Sequence, residues 1–186
     1  MSLTVKDLEN LQAKLGNDYR LELVNGDIIV MSPSGYESDE VAFRFGAKLF
    51  NWVDDRRLGR VTGAGAGFNL PNADTRAPDV SFVQAQRLRR SPRSFADLAP
   101  DLMAEVKSPS DSLTGLRNKI DEFLSQGTRV GMLINPEQQW VEVRRLNEQP
   151  VTFRNGDVLS FPDLLPGWQV EVSDLWSPVF EEEHLT

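Results

Sequence analysis

Asp101-Leu102-Met103-Ala104-Glu105-Val106-Lys107-Ser108-Pro109 is the stretch from which the rest of the chain can be read. Its apolar first half predicts a short inner strand. The strand ends by setting Glu105 and Lys107 on one face, because side chains two apart on a strand point the same way and Val106 points opposite. A carboxylate and an ammonium at the end of an inner strand are costly unless paired or functional. Upstream, Ala77-Pro78-Asp79-Val80-Ser81-Phe82-Val83 predicts a second strand that opens on an acid. Downstream, Ser108 to Ser112 reads as a turn and cap. A helix from Leu113 to Gln126 then faces Leu116, Ile120, Phe123 and Leu124 inward and stops at Gly127. Val130 to Asn135 is continuously apolar, the pattern of a strand covered on both faces. Strand, helix and strand in this order predict a right-handed crossover with its two strands parallel.

The flanking sequence builds a frame around that unit. Thr4-Val5-Lys6-Asp7 reads as a helix cap, and Val5, Leu8, Leu11 and Leu15 keep helical spacing up to Gly16. Tyr19 to Val24 and Asp27 to Met31, joined by Asn25-Gly26, predict a hairpin with a type I′ turn. On its first strand Glu22 faces with Arg20 and Val24. A long helix is expected from about Glu37 to Asp55, with Val41, Phe45, Leu49 and Trp52 inward. The glycine run Gly63 to Gly67 lacks the Gly-Lys-Ser/Thr of a phosphate loop and reads as a strand or bulge in close backbone approach. Trp140 to Arg144 alternates like a strand with one wet face. Val151 to Phe153 and Val158-Leu159, joined near Asn155-Gly156, suggest a small hairpin. The fold class is α/β, a mixed sheet flanked by helices with hairpins at its edges.

At 186 residues, 40% apolar and 26% charged, the chain suits one domain, residues 1–180, followed by an acidic tail at 181–186 expected to be disordered. The absence of cysteine excludes a disulfide framework, a thiolate nucleophile and a Cys-ligated metal. The sole histidine, His184, excludes a multi-histidine centre. With no leader-like or membrane-length apolar run, a soluble, cytoplasmic protein is expected. A net charge of −8 argues against a surface wholly given to phosphate binding, but not against a nucleic-acid enzyme whose site collects carboxylates.

Asp79 and Glu105 at neighbouring strand ends offer hard oxygens suited to a divalent cation such as magnesium, which needs only one or two carboxylates. Lys107 beside them could orient water or offset charge on a phosphoryl transition state. Glu22 would be a third carboxylate if the hairpin lies near this edge. Arg87, Arg89 and Arg90 belong to the most basic segment, either a solvated face or an arm that contacts phosphate. The competing readings are a catalytically inactive binding module, and a scaffold in which Glu105 and Lys107 form only a salt bridge.

Pro78-Asp79 followed by Glu105-Val106-Lys107 resembles the PD-(D/E)XK signature of restriction-endonuclease-like folds. More closely, nearly the whole chain resembles the Uma2 family (DUF820). The matching residues are Tyr19–Gly26, Met31-Ser32-Pro33, Arg76–Val83, Glu105–Ser110, Lys119, Gly127, Ile134-Asn135-Pro136 and Leu165-Pro166-Gly167-Trp168. The resemblance implies a restriction-endonuclease-like fold and a metal-dependent endonuclease that hydrolyses nucleic-acid phosphodiesters, with DNA the expected substrate. It further implies Asp79 and Glu105 as ligands of Mg2+ (or Mn2+), Lys107 as the catalytic lysine and Glu22 as an accessory acid. Lys119 and Arg76 join the three basic-segment arginines as candidate substrate contacts, and a homodimer is expected. Many relatives carry a histidine at the start of the long helix, where this chain reads Tyr36-Glu37-Ser38-Asp39-Glu40.

Overall fold

The computed structural model describes residues 2–16 and 19–180, so the acidic tail lies outside the described residues. Helix α1 (Val5–Leu15) opens with a capping box: Thr4 accepts from the Asp7 backbone, and the Asp7 side chain accepts from that of Thr4. The hairpin of β1 (Arg20–Val24) and β2 (Asp27–Met31) turns through Asn25 at φ 51 and Gly26 at φ 82, the left-handed pair that a type I′ turn requires. Helix α2 (Tyr36–Asp55) buries Val41, Phe45, Leu49 and Val53. Val53 takes the core position assigned from spacing to Trp52, which lies at the helix margin with the Arg56 guanidinium 3.4 Å from its ring centroid.

Strands β3 (Gly59–Gly63), β4 (Phe68–Asn69), β5 (Thr75–Arg76), β6 (Val80–Gln84) and β7 (Leu102–Val106) follow. Next come α3 (Leu113–Ser125), β8 (Val130–Asn135), β9 (Trp140–Arg144), β10 (Val151–Arg154), β11 (Val158–Ser160) and β12 (Gln169–Glu171). The main sheet has six strands in the order β10-β9-β8-β7-β6-β3, and only β7 and β8 run parallel, joined by α3 as expected. A smaller sheet of order β2-β1-β5-β4 docks beside it.

Strand alternation divides the core in two. Val80, Phe82, Leu102, Ala104, Val106, Met132 and Ile134 face α2, whereas Val83, Met103 and Leu133 face Ile120, Phe123 and Leu124 of α3. At Gly131 in β8 any Cβ would collide with Ile120, so this glycine lets α3 settle closely on the sheet.

Two expectations are corrected. Strand β9 has no wet face: Trp140, Val141, Glu142 and Val143 are all buried, because Arg117 of α3 and Arg144 cover Glu142 with ion pairs of 2.8 Å. Residues 151–160 do not form a hairpin. Strand β10 pairs with β9 and extends the main sheet, while β11 pairs with β12 and closes over the α2 core. Short alternating segments carry no label for their partner, and burial of Leu159, Phe161 and Leu165 decided the pairing. Among the described residues, no helix is long and apolar enough to cross a membrane.

Candidate active site

Strands β6 and β7 run antiparallel with Val80 opposite Ala104, so the next pair outward is Asp79 and Glu105. By alternation both carboxylates lie on the α3 side of the sheet, the side of Met103 and Val83. Asp79 is pinned at the strand mouth by the Val106 N–H, which donates to its Oδ2 at 2.8 Å. Among the described residues, Oδ2 is the only Asp79 oxygen that receives a hydrogen bond.

Glu105 is buried, and α3 brings Lys119 to it. The Lys119 ammonium donates to Glu105 Oε2 at 3.2 Å and to the Ala77 carbonyl at 2.9 Å. It also lies 3.0 Å from Glu105 Oε1, outside hydrogen-bonding geometry, so this buried oxygen has no hydrogen-bond donor. Glu22 reaches the same cluster from β1. Its Oε1 accepts from the Ala77 N–H at 2.9 Å and lies 3.2 Å from Lys119, and its Oε2 lies 3.1 Å from Arg76 Nε. Arg76 spans onward to Glu122 at 3.2 Å. These ion pairs stitch the small sheet and α3 to the ends of β6 and β7.

Burial pushes the Glu105 carboxyl up to about 8 against the opposing charge of Lys119, with Asp79 and Glu22 adding to the rise. Burial likewise raises Asp79, while the Val106 N–H, Lys119 and Arg20 pull it down and Asp111 pushes it up. Burial disfavours the Lys119 charge, but Glu105 and Glu22 outweigh it and raise the lysine's pKa. Folding therefore takes up a proton at Glu105 between its ordinary value of 4.5 and about 8. Stability should fall as pH rises through that window and level off above it. Thermal melts across the window should show the wild type losing ground to Glu105→Gln as pH increases; parallel curves would contradict this burial effect.

The structure assembles Asp79, Glu105, Glu22, Lys119 and Arg76 in one cluster, and sets Lys107 at its margin. The Lys107 ammonium donates to the Ser108 carbonyl at 3.3 Å and to Glu137 at 3.4 Å, not to Glu105 or Asp79. Both oxygens of Glu22 are engaged, so in this arrangement it holds Lys119 and Arg76 in place. Arg87 clamps Asp101 at 2.8 Å and the Ala99 carbonyl at 3.0 Å. Arg87, Arg89 and Arg90 follow the far end of β6, about 16 Å of strand from Asp79. Two neighbours were not singled out from sequence: Arg20, whose charge reaches Asp79, and Glu137, which holds Lys107. Arg20 shares a β1 face with Glu22, and that alternation was the available signal. Nothing local marks Glu137.

The Uma2 family, described as "Putative restriction endonuclease", matches residues 5–173. The chain belongs to the Uma2 family. Among solved structures, that of a "putative nuclease belonging to DUF820" from Anabaena variabilis ATCC 29413 superposes on this Uma2 chain with a TM-score of 0.80. The two are 23% identical, and the match covers 93% of this chain and 97% of the other, which shows a shared fold. That fold is the restriction-endonuclease-like one. A DrdV–DNA complex matches 61% of this chain and 12% of its own at 11% identity, with a TM-score of 0.33 that carries no argument. No curated protein matches the chain.

Among the described residues, no group of three or more His, Cys, Asp or Glu is arranged to hold a metal ion. The Asp79–Glu105 pair nevertheless fits a hard cation of the magnesium type. Its donors are carboxylate oxygens at adjacent strand mouths, and Asp79 receives a hydrogen bond at Oδ2 alone. Glu105 Oε1 is buried with no hydrogen bond and only the Lys119 ammonium 3.0 Å away, and such an ion completes its shell with water and substrate oxygens.

Proposed function

We propose that this Uma2 protein is a Mg2+-dependent endonuclease that hydrolyses nucleic-acid phosphodiester bonds, DNA being the expected substrate and Mn2+ a possible substitute. The observation that carries this reading is the placement of Asp79 and Glu105 side by side at the mouths of β6 and β7, with Asp79 hydrogen-bonded at one oxygen alone, within a family described as "Putative restriction endonuclease". Asp79 and Glu105 would hold the cation, which when bound supplies Lewis acidity toward a phosphoryl oxygen.

The chain's own residues do the rest. The Val106 N–H fixes the direction of the Asp79 carboxylate. Lys119 offsets the charge of the buried acids and keeps Glu105 and Glu22 from repelling each other apart. Arg76 anchors Glu22, so both are positioning residues. Lys107, at the open end of β7, offsets negative charge as it grows on the phosphoryl oxygens and orients the attacking water. This requires its ammonium to exchange Glu137 for substrate, an inexpensive step because Glu137 is 75% exposed. Nucleic acid is met in the cytoplasm, the setting this reading implies.

The test is calorimetric titration of Mn2+ into the purified protein together with cleavage of supercoiled and single-stranded DNA. Wild type should bind the ion and cut; Asp79→Asn should do neither while keeping its melting behaviour. Binding and cutting that survive the substitution would overturn the assignment.

The second reading is a catalytically silent module of the same fold. The contact of Lys107 with Glu137, away from the carboxylates, favours it. A homodimer is also proposed: Tyr36 and Phe43, one heptad apart on α2, are 88% and 75% exposed and could cover one another across a two-fold axis. Sedimentation should give a dimer that Phe43→Glu dissociates; a monomeric wild type would remove this proposal.

A further inference from the structure

We propose that the cleft bounded by α1, β1, the C-terminal half of α2 and β3 is a groove for single-stranded nucleic acid that leads to Asp79. The inference rests on the hydrolytic reading for its purpose, and it stands as a binding site on observations of its own. The cleft encloses about 930 Å3. Its floor includes Ser81 and Val83, which lie on the same face of β6 as Asp79, and Ala77, two residues before it. Arg20 lines the wall and bears on Asp79 through its charge. The floor of the groove thus comes within two residues of Asp79 on the same strand face, although the Asp79 and Glu105 carboxylates themselves lie outside its lining.

Its chemistry differs from that of the surrounding surface. Among the described residues, three arginines, Arg20, Arg60 and Arg93, line it against two acids, Glu9 and Asp54, in a chain whose net charge is −8. Arg60 is held by the Leu88 and Arg89 carbonyls at 3.0 and 2.9 Å, which fixes its guanidinium along the rim. Two aromatic rings, Tyr19 on β1's approach and Phe50 on α2, are 49% and 47% exposed within the lining. Half-exposed rings and arginines lining one cleft are the elements on which unpaired bases stack while their phosphates track the cations. The glycine run is placed here as well. Gly65 and Gly67 line the cleft; a Cβ at Gly65 would meet open space, and the Phe95 ring packs where a Gly67 Cβ would stand. The run thus leaves backbone bare on this wall at Gly65, while Phe95 covers it at Gly67.

Size and charge favour one strand over two. A volume at the upper end of the small-ligand range accommodates a few nucleotides. A duplex keeps its bases stacked inside and offers no face to Tyr19 or Phe50. It also draws its affinity from many phosphate contacts, which the few arginines of this lining supply poorly.

The experiment is fluorescence anisotropy with a short labelled oligonucleotide, single-stranded and as its duplex, in the presence of a chelator so that nothing is cut. The single strand should bind about tenfold tighter than the duplex. Phe50→Ala should weaken single-strand binding about tenfold, whereas Phe50→Trp, which keeps a stacking face, should not. Arg93→Glu should reduce both affinity and its salt dependence. Circular dichroism melts of each variant guard against unfolding, and both side chains are exposed. Equal or tighter duplex binding, or no response to Phe50→Ala and Arg93→Glu, would overturn the groove. Cleavage run in parallel separates the two ideas. Asp79-dependent cutting of duplex by a protein that ignores single strands would remove the groove and keep the hydrolytic reading. Single-strand binding as expected, with no cutting under any cation, would keep the groove and remove the hydrolytic reading.

Discussion

Lys107→Met should leave the protein folded and lower metal-dependent cleavage by two to three orders of magnitude, about the loss seen when one positioned charge-stabilising group is removed from a phosphoryl or acyl transition state. The folding cost is small because Lys107 contributes little to the native state beyond its backbone. Its ammonium has two partners, the Ser108 carbonyl and the exposed Glu137, both at the long end of hydrogen-bonding range. A long pair whose acid is 75% exposed contributes about 1 kcal/mol at most, and methionine keeps the apolar stem of Lys107, which is itself only 14% exposed. Single-turnover cleavage rates and melting temperatures, measured on the same preparations, would separate the two effects. Glu137→Gln supplies the complement: it releases the ammonium, so cleavage should hold steady or rise. If Lys107→Met cuts at the wild-type rate, the lysine has no catalytic part, and the arrangement with Glu137 is simply a surface ion pair.

Lys119→Met should have the opposite profile, a fold badly weakened before any question of chemistry arises. Lys119 is the shared counter-ion of Glu105 and Glu22, at 3.0 and 3.2 Å, and all three are buried. Removing one partner of a buried cluster strands the others, which typically costs about 3–5 kcal/mol. For a domain of this size that corresponds to a fall in melting temperature of about 10 °C. The loss should grow with pH: Glu105, already pushed up to about 8 beside Lys119, holds its proton still further up without that cation, so the stranded charge and its cost develop only in alkaline solution. Adding Glu105→Gln to Lys119→Met should recover part of the loss at high pH, since it removes the stranded carboxylate. If the single variant melts close to the wild type at every pH, Lys119 is not the electrostatic keystone of this cluster. The contrast between the two lysines is informative by itself: one sits in the interior and holds acids together, the other stands at the margin with its charge available to a ligand.

Much of the frame was legible from local chemistry. Asn25-Gly26 has one comfortable way to turn, Thr4 and Asp7 cap reciprocally, and the unbroken apolar run at Val130 to Asn135 demands cover on both faces. The strand–helix–strand unit around Glu105 followed from the same patterns, and so did the common face of Glu105 and Lys107, whereas the common face of Asp79 and Glu105 came from the antiparallel register of β6 with β7. These are short-range consequences: φ preference, period and side-chain direction act within a few residues of their cause.

What only the tertiary structure decided lies at longer range. Glu-Val-Lys places Glu105 and Lys107 on one side of a strand, but which cation Glu105 pairs with depended on α3 delivering Lys119 into the interior, while Glu137 at the end of β8 drew Lys107 outward. Arg87, Arg89 and Arg90 looked close to the site because they follow Asp79 in sequence, yet a whole strand of extended chain carries them to its other end. Strands β10 and β11 chose separate partners because the apolar side chains that follow them needed different walls to cover. Periodicity tells each residue which face it shares, but charge pairing and strand pairing are settled by neighbours that burial brings together from distant parts of the chain.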